Sequence, residues 1–63
     1  MKNFIEVISN GDRVLINTRH IKVVESSGSE GVIIYLLGNA HHNFYTSHED
    51  YNEVVRKIEE ATE

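Results

Sequence analysis

The chain has 63 residues, ten acidic against six basic side chains, a net charge of −4 and 40% hydrophobic content. That length holds one domain with a marginal core, and the acidic balance disfavours nucleic acid as a partner. No cysteine is present, which excludes disulfides and thiolate metal sites and suits a reducing, cytoplasmic compartment.

Phe4 to Ile8 is short and rich in β-formers, and Ser9-Asn10-Gly11-Asp12 follows it. An Asn-Gly pair between apolar runs signals a tight hairpin, because both residues tolerate positive φ. Arg13 to Ile16 reads as the returning strand. Asn17 to His20 breaks the apolar pattern, and Asn17 and Thr18 can bond their own nearby backbone, so a single helical turn or corner is expected there. Ile21 to Glu25 is a third strand, and Ser26 to Gly31 is a polar loop. Val32 to Leu37 is an unbroken apolar run, as in a strand covered on both faces. Gly38-Asn39-Ala40 is expected to turn the chain, with His41 to Thr46 as the last strand.

Ser47 is expected to cap a helix over about 48–61, with Asp50 three residues on as in a capping box. Tyr51, Val54, Val55 and Ile58 recur at helical spacing and make one apolar stripe. Glu53 with Lys57 and Arg56 with Glu60 have the spacing of i,i+4 pairs on the wet side. Glu59, Glu60 and Glu63 oppose the helix dipole, so that end is expected to fray. The fold class is α+β: a small twisted antiparallel sheet of four to five short strands, or a half-open barrel, with one C-terminal helix. No apolar run is long enough for a signal peptide or for membrane insertion.

Little in the chain carries chemistry. His41, His42 and His48 lie close in sequence, with His20 a fourth, but neighbours on a strand point to opposite faces, so His41 and His42 cannot share one ion. Ser47 beside His48 has no strand-elbow-helix glycine motif around it, and no set of nucleophile, base and oxyanion donors exists. Neither enzyme activity nor a metal or other cofactor is expected. Arg13, Arg19, His20 and Lys22 form a candidate interaction patch around the second and third strands. Ile33, Tyr35 and Leu37 alternate away from Val32, Ile34 and Leu36. One amphipathic helix covers one sheet face only, so Ile33, Tyr35 and Leu37 form a candidate oligomer face, unless the sheet closes on itself.

Ile5-x-Val7, Asn10-Gly11, Leu15-x-Asn17, Ile21 and Glu49-Asp50-Tyr51-Asn52-Glu53-Val54 together resemble the FlbD family of short bacterial flagellar and swarming-motility proteins. That resemblance implies a non-catalytic role. Asn39-Ala40, Phe44 and Ser47-His48-Glu49-Asp50, with Gly11-Asp12, are similar to the carbon storage regulator CsrA, a five-strand-plus-helix RNA-binding dimer. Glu6, Ile8, Ser9 and His48 stand where that family binds RNA through basic residues, so the likeness implies the architecture rather than the RNA chemistry. Asn17 to Ile21, the following hairpin and Tyr51 have counterparts at the end of LytTR DNA-binding domains. The sequence is thus read as a small protein–protein interaction or regulatory module, partnered by itself as a homodimer or higher oligomer and by another protein. The alternatives are a CsrA-like nucleic-acid-binding regulator and an acidic inhibitor that mimics nucleic acid.

Overall fold

In the computed structural model, which describes residues 2–38 and 43–62, Asn10 and Gly11 make the turn their sequence predicts. Both have positive φ, 52° and 84°, as a two-residue type I′ hairpin requires. They join β1 (Phe4–Ser9) to β2 (Asp12–Asn17) in an antiparallel pair with Ser9 opposite Asp12. A 3-10 turn, Thr18–His20, follows; its first N–H groups are partly satisfied by Asn17, whose side chain accepts from the Arg19 N–H at 2.9 Å.

β3 (Ile21–Ser26), β4 (Val32–Leu36) and β5 (Phe44–Ser47) form a second antiparallel sheet in that order. Gly31, at φ 106°, opens β4 where a Cβ would lie 2.0 Å from the Ser47 carbonyl oxygen, so only glycine fits. The register shifts between Ile21 and Val23, making Lys22 an extra residue in a bulge. Ile21 and Val24 therefore both turn toward the core, while Lys22 and Val23 are exposed. The expected turn at Gly38-Asn39-Ala40 and strand start at His41 and His42 fall largely outside the described residues, and β5 is described from Phe44.

The five strands thus make two small sheets rather than one, and α1 (Tyr51–Ala61) completes the layer between them. Ile5, Val7 and Ile16 from the first sheet, Val32 and Ile34 from the second, and Val54 and Ala61 from the helix form one buried cluster. The half-buried Val14, Ile21, Val24, Leu36 and Ile58 pack on it. The stripe expected from Tyr51 to Ile58 is present, but Tyr51 stays exposed at one end and Ala61 extends the stripe at the other. Ala61 also holds the helix end that was expected to fray: its carbonyl accepts from the Asn3 N–H at 2.7 Å, and the Asn3 carbonyl accepts from Thr18 N–H at 2.8 Å.

The helix begins later than the 48–61 expected, and Ser47 does not cap it. Ser47 is the last residue of β5, opposite Val32 and buried. Two further residues are needed to turn the chain, and Asp50 then caps, its carboxylate accepting from Asn52 N–H at 3.1 Å. Serine and aspartate cap about equally well, so strand pairing decided between them.

Glu49 and Lys57 do the work between the sheets. The Thr18-to-Asn3 bond sets the alternation of the β1–β2 ladder, which leaves the Glu6 and Ile8 backbone groups pointing away from β2. Lys57 Nζ donates to the Glu6 carbonyl at 3.0 Å, the Ile8 N–H donates to Glu49 Oε2 at 2.9 Å, and Lys57 pairs with Glu49 at 2.5 Å. Lys57 is therefore not on the wet side with Glu53. Glu53 instead pairs with Arg56, which also reaches Glu60 at 2.8 Å. Burial raises the Glu49 pKa, but hydrogen bonds from Lys57, Ile8 N–H and the Ser47 hydroxyl outweigh it and hold the carboxyl below its usual value.

Asp50→Ala should cost about 1 kcal/mol and Asp50→Asn only a few tenths, read from thermal or urea melts; equal melts for all three proteins would place the helix cap elsewhere. Because the folded pKa of Glu49 lies below the ordinary carboxyl value of 4.5, its stabilisation is complete well above that value and is lost as pH falls through the folded pKa. Urea midpoints should therefore drop on acidification below about pH 5, and less steeply in Glu49→Gln. Glu49→Ala should cost about 2–3 kcal/mol at neutral pH, as expected for charge-assisted bonds in a partly buried pair.

Candidate interaction surface

The side of the β3–β4–β5 sheet turned away from the core carries Val23, Ile33, Tyr35 and Phe44. Register places Val23, Tyr35 and Phe44 in one row across the three strands, and Glu25, Ile33 and Thr46 in the next. Directly opposed residues share a face, and Val24, Ile34, Val32 and Ser47 occupy the other side. Leu37 continues the β4 column just beyond the strand end, where its N–H donates to the His20 carbonyl at 2.7 Å.

Ile33, Tyr35 and Leu37, the candidate oligomer residues, therefore share one column. Ile33, Tyr35 and Leu37 lie along about 13 Å of β4 and its extension. Ile33 and Tyr35 are half-buried among neighbours on their own sheet, and Leu37 is 56% exposed. The sequence reading missed two residues beside them, Val23 at 45% and Phe44 at 39% exposure. Tyr35 and Phe44 sit with ring centroids 5.9 Å apart, tilted by 45°, within the range where aromatic pairs attract. Their alignment depends on strand register, which period-2 alternation within each strand does not reveal. Asn43 closes the end of the face, its side-chain amide donating to the Leu36 carbonyl at 3.0 Å and to the Leu37 carbonyl. Lys22, Val23, Glu25, Tyr35 and Phe44 line a shallow depression of about 380 Å³ on this face.

The basic patch is divided. Arg19, His20 and Lys22 are exposed around the 3-10 turn and the start of β3. Arg13 lies at the opposite end of β2, about 16 Å of strand away from Thr18. Its guanidinium forks onto Glu6 at 3.0 and 3.1 Å. The Glu6 hydrogen bond raises the Arg13 pKa, and the reciprocal bond lowers that of Glu6. Ile8 and Leu15, both exposed, flank that ion pair on the outside of the first sheet.

Among the described residues no three His, Cys, Asp or Glu side chains converge as metal ligands, and His41 and His42 lie outside those residues. His48 is exposed beside a hollow shared with Ser26, Ser29, Asp50 and Tyr51. Ser47 Oγ is committed to Glu49, donating to its carboxylate and accepting from its N–H, each at 3.2 Å, so the neighbouring Ser47 and His48 do not share a proton path. Among the described residues no helix is long and apolar enough to cross a membrane. No family model, no curated protein and no solved structure matches this chain.

Proposed function

We propose that this chain is a small non-catalytic protein–protein interaction or regulatory module of the cytoplasm that acts as a homo-oligomer. The observation that carries this reading is the contiguous apolar column on the side of the sheet away from the helix. Single exposed apolar side chains are ordinary; a contiguous group rimmed by charge marks an interaction surface. Val23, Leu37 and Phe44, with Ile33 and Tyr35 between them, make such a group. The division of the basic patch, with Arg13 engaged by Glu6, and the net charge of −4 favour a protein partner over a nucleic acid.

The energetics support self-association. A chain of this length has a total stability on the order of 3–9 kcal/mol. Burying the remaining surface of two or three of these side chains on each copy adds several kcal/mol, comparable with that total. Light scattering at high micromolar concentration should therefore return at least twice the 7.2 kDa chain mass, with a melting temperature that rises with concentration. Leu37→Glu should weaken association about tenfold or more while leaving the circular-dichroism spectrum unchanged. A 7.2 kDa species with a concentration-independent melt would refute the oligomer.

A further inference from the structure

We propose that the outer face of β3–β4–β5 docks a second copy of this chain face to face, the two β4 strands antiparallel, with Lys22 of each copy set against Glu25 of the other. This rests on the homo-oligomer reading above and gives it one geometry. The starting point is a pair of opposite charges on one strand. Lys22 and Glu25 flank Val23 on the rim of the apolar face, and neither makes an ion pair among the described residues. Arg13, Arg56 and Lys57, by contrast, each meet a carboxylate within the chain.

A two-fold dimer is isologous, so the face must complement itself. For aligned packing of the two sheets, the axis within the plane of the face runs either along the strands or across them. An axis along the strands lays β3 over the second copy's β5. Lys22 and Glu25 then stand over Phe44 and Thr46 of the second copy, where they meet no charge. An axis across the strands lays β3 over the second copy's β3 and reverses its direction. With the axis crossing near the Val24–Ile34 level, Ile33 meets the second copy's Tyr35, and Lys22 of β3 lies close to Glu25 of the second copy. The contact forms twice by symmetry. Two sheets packed in this way lie about 10 Å apart with their strands crossed by about 30°, a spacing that side chains of this size fill.

Edge-to-edge pairing through β3 is the competing way to join two copies. The Ser27-to-Gly31 backbone bond sets the ladder so that Val24 and Ser26 direct their backbone groups outward. However, the bulge at Lys22 and the charged side chains on both halves of this strand are the devices that blunt a sheet edge. The face is undefended where the edge is defended.

Charge reversal tests the arrangement. Sedimentation equilibrium would compare the wild-type chain with Lys22→Glu, Glu25→Lys and the double reversal Lys22→Glu/Glu25→Lys. Each single reversal places like charges together at both symmetric contacts and should weaken the dimer roughly tenfold. The double reversal should restore the wild-type constant within about twofold, and an equimolar mixture of the two single variants should associate as well as wild type, because their faces carry opposite charge. A double reversal as weak as the singles, or singles that associate like wild type, would overturn this geometry while leaving the oligomer reading intact. A wild-type chain that sediments as a monomer would overturn both. Both substituted residues are exposed, and recovery in the mixture separates lost association from lost folding.

Discussion

The fold depends on how the open edge of β1 is satisfied. A sheet edge presents unpaired N–H and C=O groups, and on β1 side chains rather than a strand partner take them up. β1 runs beside β5 but the two belong to separate sheets. In their seam, the Glu49 carboxylate accepts from the Ile8 N–H and the Lys57 ammonium donates to the Glu6 carbonyl. These are the two groups that one residue of a parallel neighbouring strand would engage, so the ion pair stands in for that residue. The substitution lets the sheets splay apart, and the space between them admits Val54 and Ala61. It also fixes the helix at both ends: Glu49 precedes its first turn, and Lys57 lies one turn before the Ala61 carbonyl that Asn3 holds.

Splaying the strands into two sheets resolves a conflict present in the amino-acid pattern. Nearly every strand carries apolar residues on both faces, and one helix covers only one of them. With the sheets turned toward each other, Ile5, Val7 and Ile16 share a core with Val32 and Ile34 inside a single chain. That removes half of the argument for a second subunit, because the inner faces need nothing more. The remaining half concerns the outer residues alone: Val23, Leu37 and Phe44 on the three-stranded sheet, and Ile8 and Leu15 beside the Glu6–Arg13 ion pair on the other.

What the sequence revealed and what it hid divide along range. The Asn10-Gly11 turn, the Asn17-led 3-10 corner and the Val54–Ile58 stripe rest on residues within one turn of each other, and local chemistry decides them. The alternation in Val32 to Leu37 likewise separated Ile33, Tyr35 and Leu37 from the core set. Ser47 and Asp50 are equal candidates for the helix cap locally, and only the distant pairing of Ser47 with Val32 breaks the tie. Helical spacing favours Glu53 as the partner of Lys57. Its true partner lies outside the helix, and its second contact is 51 residues away in β1. The bulge at Lys22 has no glycine to announce it, so the exposure of two consecutive residues there, and with it the width of the outer face, was not visible.

An ordinary explanation of the outer face would be strand propensity. Val, Ile, Tyr and Phe favour extended backbone whether or not anything covers them, so Val23, Ile33, Tyr35 and Phe44 could owe their presence to β-formation alone. Leu37 does not fit that account. It follows the last residue of β4, it is the most exposed of the large apolar side chains among the described residues, and leucine is not among the strongest strand formers. Its backbone contribution, an N–H donated to His20, would be made equally well by a polar residue, which would cost less in water. The apolar column therefore extends one residue past the point where secondary structure requires it. That extra residue is the feature a covered surface explains and a bare strand does not.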